Sequence, residues 1–219
     1  MDVVLSAFIP KRSRYLGAFA VDPTPTESGQ WWYNTTERNW KFYNGEITSL
    51  FGGTYTKTIS IPAEEFGRPF TNPPTVVDQG NLTLYAFTLN TDHMTFKFPV
   101  PSDYDSGGLS FFVIWTNDGG IDDNGRNVKW QISYQVASEG DSVDGNHANS
   151  PKSVEDAYAS ALGWIEHHTG LRTIAHGDFI GKFCVFLDLS ALTPTPPALT
   201  CEPHLIGVCF TYTARRQVL

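Results

Sequence analysis

An all-β, antiparallel sandwich of the jelly-roll type is the fold class that this 219-residue sequence predicts, and three observations carry the prediction. From about residue 54 onward, apolar residues alternate at period two in segment after segment. The chain is rich in Gly (19), Pro (14) and aromatic residues (14%), as strands and turns are, while only 17% of it is charged against about 25% in an average domain. Crossover helices are missing between most of the candidate strands, which leaves antiparallel pairing. A chain of this length removes roughly 70% of its unfolded surface from water, enough for a full core without disulfides or metal.

Residues 1–53 differ from the rest and read as an anchoring arm, with residues 54–219 forming the sandwich. The arm opens on a short apolar run, a basic cluster (Lys11, Arg12, Arg14) and a Pro-rich link starting at Asp22. The run is stopped by Pro10 and carries Asp2 where a signal peptide wants positive charge, so synthesis and folding in a cytoplasm are expected. Next, Trp31-Trp32-Tyr33 and Trp40-Lys41-Phe42-Tyr43 flank a polar stretch, Asn34 to Asn39, and Asn44-Gly45 follows. The spacing predicts a β-hairpin. So many rings in so short a hairpin need a packing partner, which makes Arg12, Arg14, Trp31, Trp32, Tyr33, Trp40, Phe42 and Tyr43 the candidate partner-binding residues.

In the body, the strongest alternation is Val128, Trp130, Ile132, Tyr134 and Val136. Leu109–Trp115, Phe96–Val100, Phe183–Leu189 and Ile206–Tyr212 repeat it, and Tyr55–Ile61, Leu82–Leu89 and Leu171–Ala175 add weaker candidates, about eight strands in all. One segment breaks the period. Ser153-Val154-Glu155-Asp156 fits a capping box, and Val154, Ala157, Tyr158, Ala161, Leu162 and Ile165 recur at three and four, predicting one inserted helix over about 152–168.

Net charge −8 and pI near 5.1 disfavour binding to a phosphate backbone, so no nucleic-acid partner is expected. No run of about 18 apolar residues occurs, so no membrane span is expected. Cys184, Cys201 and Cys209 are odd in number and widely spaced; buried free thiols are expected over a Cys201–Cys209 disulfide. Glu166, His167, His168, His176 and Asp178 offer metal-ligand types, but adjacent histidines at a helix end point about 100° apart and suit the last carbonyls instead. The acidic stretch Asp118–Gly125 resembles a calcium loop in composition, lacks the EF-hand spacing, and reads as a hairpin loop. Asp103, Asp105, Asp122 and Asp123 could flank a sugar, yet no spacing places them at catalytic separation. With no G-x-S-x-G, H-E-x-x-H or P-loop, an enzyme is not expected and no cofactor is assigned. Asn34-Thr35-Thr36 and Asn81-Leu82-Thr83 match the glycosylation pattern, which carries weight only in a secreted chain.

The segment Pro25-Thr26-Glu27-Ser28-Gly29-Gln30-Trp31-Trp32-Tyr33-Asn34-Thr35-Thr36, followed by Trp40-Lys41-Phe42-Tyr43-Asn44-Gly45, is similar to the G-x-x-W-Y-N-T-T … K-x-Y-N-G segment of tailed-bacteriophage virion proteins, tail fibres and other projecting components among them. The body also resembles phage β-sandwich proteins through Phe98–Asp105, the Trp115 strand, Val128-Lys129-Trp130 with Tyr134, and Gly140-Asp141. The resemblance implies a non-enzymatic virion component, a homotrimer assembled from the host cytoplasm onto a particle. A capsid decoration or cement protein gripping the major capsid protein is one such role. A tail fibre or baseplate protein meeting a host-surface glycan is another. A carbohydrate-binding module or cupin-like enzyme is the reading from outside the virion class.

Overall fold

The computed structural model describes residues 14–43, 46–52, 54–141, 151–178, 182 and 184–215. The chain divides into two compact units. The first holds the residues up to Thr56 together with Asp103–Asp105 and the residues from Thr213 on; the second holds Lys57–Ser102 and Ser106–Tyr212.

The first unit is a four-stranded sheet in the order β1-β2-β3-β4, with β1 Arg14–Phe19, β2 Gln30–Asn34, β3 Asn39–Tyr43 and β4 Ile47–Gly52. The expected hairpin is present as β2 and β3, paired antiparallel with Trp31 opposite Phe42 and Tyr33 opposite Trp40. It is not an extended arm, however. β4 adds antiparallel to β3, and β1 adds parallel to β2, with Tyr15 beside Trp31. The chain can run parallel here because residues 20–29 carry it back to the start of β2.

The second unit is a sandwich. The remaining elements, which lie in this unit apart from the first residues of β5 and β9 and the last of β15, are β5 Thr54–Pro62, β6 Thr75–Gln79, β7 Leu82–Ala86, β8 His93–Pro99, β9 Tyr104–Asn117, β10 Asn127–Ala137, β11 Lys152–Ala157, β12 His167–His168, β13 Arg172–Ile174, β14 Cys184–Leu192 and β15 Pro203–Arg215. One sheet runs β11-β10-β14-β8, antiparallel throughout. The other runs β12-β9-β15-β7-β6, with β13 also on β9 and β5 on β15. Alternation puts Val128, Trp130, Ile132 and Tyr134 of β10, and Val185, Leu187, Leu189 and Ala191 of β14, on one buried face. Leu109, Phe111, Val113 and Trp115 of β9 with Val208, Phe210 and Tyr212 of β15 supply the other. The faces meet through rings: Trp115 lies 6.4 Å from Trp130, and Phe98 stacks on Phe210 at 5.3 Å. Phe183 lies outside the described residues. All three cysteines are free thiols, with Cys209 buried.

The inserted helix is not formed. Lys152–Ala157 is instead an edge strand against β10, placing Val154 opposite Trp130 and Asp156 opposite Val128. Of the helix-spaced residues, Val154 and Tyr158 are buried, whereas Leu162 is 69% and Ile165 is 41% exposed, so no apolar helical stripe faces the core. Two groups hold the segment open. The Tyr158 hydroxyl donates to the carbonyl of Leu162 at 2.6 Å and accepts from the Ile165 N–H at 3.3 Å. Gly163 packs so closely on the Asp118 carbonyl that a Cβ would lie 2.9 Å from it. A pairing surface on β10 thus outweighs local helical periodicity.

Candidate functional site

The aromatic segment of the first unit forms a sheet with two unlike faces. On one face Tyr15, Trp31, Trp40 and Tyr33 make a continuous ladder across β1, β2 and β3. The ring centroids are 4.6 Å apart for Tyr15–Trp31, 5.1 Å for Trp31–Trp40 and 5.3 Å for Tyr33–Trp40. The planes are tilted by 37–56°, so the rings pack against one another in a ridge and do not form one flat platform. Tyr15 is 47% exposed and the other three are half-buried. Phe42 closes this face beneath them, buried.

The opposite face is closed by a polar latch. Trp32 is fully buried, and its indole N–H donates to Asp22 Oδ1 at 2.8 Å. Asn34 donates to the same oxygen at 2.7 Å and accepts the Glu37 N–H at 2.8 Å. Lys41, nearly buried, sits 3.8 Å from Asp22 Oδ2 and pairs with Glu37. Burial opposes ionisation of Asp22, but the bonds from Asn34 and Trp32 and the charge of Lys41 outweigh it and hold the carboxyl below the usual range. Thr35 and Thr36 donate to the carbonyls of Phe19 and Ala20 at 3.1 and 2.6 Å, tying the turn to the end of β1. Gln30 accepts from the N–H groups of Thr26 and Glu27 at 2.8 and 3.3 Å. The W-Y-N-T-T segment is thus chiefly a folding device: Trp32 and Asn34 are buried, Thr35 and Thr36 tie the exposed turn to the end of β1, and Trp31, Tyr33 and Trp40 are left facing out.

Of the eight residues assigned to partner binding, Trp31, Tyr33 and Trp40 share the ladder, Trp32 and Phe42 are buried, and Tyr43 alternates onto the latch side, half-buried. Arg14 is exposed at the start of β1; Arg12 lies outside the described residues, as does Asn44-Gly45. Sequence reasoning missed Tyr15, which no periodicity marked, and Asp22, which stood in a Pro-rich link. Asp105 belongs to this unit too. Its oxygen Oδ1 accepts from Arg38 Nη1 at 2.9 Å and from Arg215 Nε and Nη2 at 2.7 and 2.6 Å, while its side chain is 4% exposed.

The candidate chemistry of the second unit resolves into structural bonds. Asp123 is buried; its carboxylate accepts from the Thr200 N–H and hydroxyl, both at 2.6 Å, and from the Cys201 N–H at 3.1 Å. Burial opposes its ionisation, yet these bonds hold its pKa below the ordinary value. Asp122 is exposed beside it, so the acidic loop is a pinned turn. His167 and His168 do not end a helix: they form β12 on β9. His167 packs on Tyr158 at 4.6 Å and Trp115 at 5.3 Å, and burial lowers its pKa. His168 meets Glu166 at 2.6 Å. Asp178 accepts from the Tyr134 hydroxyl at 2.7 Å. Among the described residues no three His, Cys, Asp or Glu side chains gather as a metal site.

No protein-family model and no curated protein matches the chain. Among solved structures it is similar to the xylan-binding module CBM15 (TM-score 0.44, 12% identity, covering 72% of this chain and 97% of that one). It is also similar to the infectious bursal disease virus VP2 subviral particle (TM-score 0.38, 9% identity, covering 88% of this chain and 41% of that one). A third likeness is to a ruminal GH26 endo-beta-1,4-mannanase (TM-score 0.35, 14% identity, covering 75% of this chain and 26% of that one). The neighbours of this β-sandwich thus include a carbohydrate-binding module and a viral capsid protein.

Proposed function

We propose that this protein is a non-enzymatic structural component of a tailed-phage virion, attached through the aromatic ladder of its first unit. The observation that carries the reading is the division of labour within the W-Y-N-T-T … K-F-Y segment. Trp32, Asn34 and Lys41 are held by Asp22 and the Thr35-Thr36 turn is tied to the end of β1, while Tyr15, Trp31, Tyr33 and Trp40 remain on an open face. Exposed rings in contact with one another are an interface composition, and protein partners take such ridges by interdigitation.

Within the virion the reading is a capsid decoration protein, a homotrimer bound to the major capsid protein. Tail fibre or baseplate is the competing position. Particles produced with the protein carrying a tag, imaged by electron microscopy, place it on the head if the reading holds; label on the tail alone would reject decoration, and unlabelled particles would reject the virion role. Replacing Trp31 and Trp40 by Ser is expected to reduce copies per particle at least tenfold.

A further inference from the structure

The loop between Phe66 and Pro74 presents one aromatic ring to solvent on a rigid mount. Phe70 is 104% exposed, with its ring in contact with nothing that shields it. The loop beneath it is tied at both ends. Gly67 and Thr95 exchange backbone bonds at 2.7 and 2.9 Å, and His93 N–H donates to the Asn72 carbonyl at 3.1 Å. Arg68 Nη2 reaches across to the carbonyl of Pro74 at 2.9 Å. Phe66 is buried, packing on Phe96 at 5.2 Å, so the foot of the loop is part of the core. Pro69, Pro73 and Pro74 stiffen the span, and Asn72 turns it with φ +53. Loops of this kind, short and closed at the base, hold a side chain in place before any partner arrives, which reduces the ordering cost of binding.

The charge around the loop says what meets it. Glu64 and Glu65 stand exposed at its foot, against one cation, Arg68. The whole net charge of the chain also lies in this unit, which holds eight Lys and Arg against sixteen Asp and Glu, while the first unit holds seven of each. An anionic bilayer and a second copy of the same acidic unit are both repelled by that balance.

We infer that Phe70 is the anchor of a second docking point, inserted into an apolar pocket rimmed with Lys and Arg on a different folded protein of the particle. The inference rests on the virion reading. Phe70 then acts as a buried aromatic hot spot, with Glu64 and Glu65 pairing to the rim.

The experiment titrates particles that lack the protein with the purified full chain, as wild type, Phe70→Ser, and Glu64→Lys with Glu65→Lys. Melting temperatures verify that each variant is folded, as an exposed ring predicts. Binding weakened at least tenfold by Phe70→Ser, and weakened also by the charge reversal, supports the inference. Wild-type binding that Phe70→Ser leaves unchanged overturns it while the virion role stands; no wild-type binding overturns both. Two controls use the free protein. Phe70-dependent cosedimentation with phosphatidylglycerol vesicles would assign the ring to a bilayer, and Phe70-dependent self-association in sedimentation velocity would assign it to a second copy; either result overturns the inference.

Discussion

Asp22 accepts the indole N–H of Trp32 at 2.8 Å across ten residues of chain, on the closed face of the aromatic sheet. Replacing Asp22 by Ala leaves the buried Trp32 N–H and Asn34 amide without their acceptor, at about 1–3 kcal/mol for each orphaned group. Thermal unfolding followed by Trp fluorescence is expected to show the first unit melting earlier while β-sheet circular dichroism of the second unit persists. Coincident, unshifted transitions would show that the latch contributes nothing. The pH dependence has a definite sign. The folded carboxyl titrates below the ordinary Asp value of 3.8, so its stabilisation is complete above that value and is lost as pH falls through the lower, folded one.

Asp123 is the corresponding post of the second unit, and it ties the β9–β10 connection to Thr200 and Cys201. Asp123→Ala is expected to cost about 3 kcal/mol, since three donors lose a charged acceptor in a buried place. Denaturant unfolding would read this as a lower midpoint at unchanged slope.

His204 gives the second unit a sensitivity on the mildly acidic side. It is 4% exposed, stacked on Trp164 at 4.9 Å, and its Nδ1 has no hydrogen-bond partner. Burial lowers its pKa below the ordinary 6.5, partly offset by the charges of Asp118 and Glu202. A group whose folded pKa is depressed stabilises fully above 6.5 and loses that contribution as pH falls below it. Each kcal/mol lost in this way lowers the melting temperature by roughly 2–4 °C in a protein of this size. The melting temperature is expected to fall between pH 7.5 and 5.5, and His204→Phe is expected to flatten that slope; an equal slope in the variant would remove His204 as its source.

The ladder tests itself by what it does not stabilise. Tyr15→Ala, Trp31→Ser and Trp40→Ser remove half-exposed rings, so the melting temperature of the second unit is expected to stay in place. Light scattering on the wild-type chain is expected to give a trimer mass that falls to the monomer in the Trp31→Ser, Trp40→Ser variant. A wild-type monomer at all accessible concentrations would confine trimerisation to the particle.

Much of the sandwich was legible because long strands buried on one face repeat at period two. Val128 to Tyr134 and Val185 to Leu189 face inward as their alternation predicts. The pattern slips where the strand ends: Val136 is half-buried and Ala137 takes the core place. The Trp31–Phe42 and Tyr33–Trp40 rungs were legible because a hairpin is a local structure. What escaped was long-range. Nothing near Tyr15 signals a parallel neighbour sixteen residues on, and nothing near Asp123 announces Thr200. The segment 152–168 misled because its helical spacing is a local property, whereas its pairing to β10 is a property of a surface made elsewhere.

The clamp on Asp105 sets an order of events in time. Arg38 and Asp105 are 67 residues apart, and Arg215 lies another 110 on. At about 5–20 residues per second of synthesis, the strands that bear Trp31 and Trp40 wait roughly 10–35 s for the arginine that completes their unit. Strands made well before Arg215 are thus among the last to be locked. In a crowded cell, a nascent sheet of this kind is open to capture by a chaperone, or by the same sheet on a chain growing beside it.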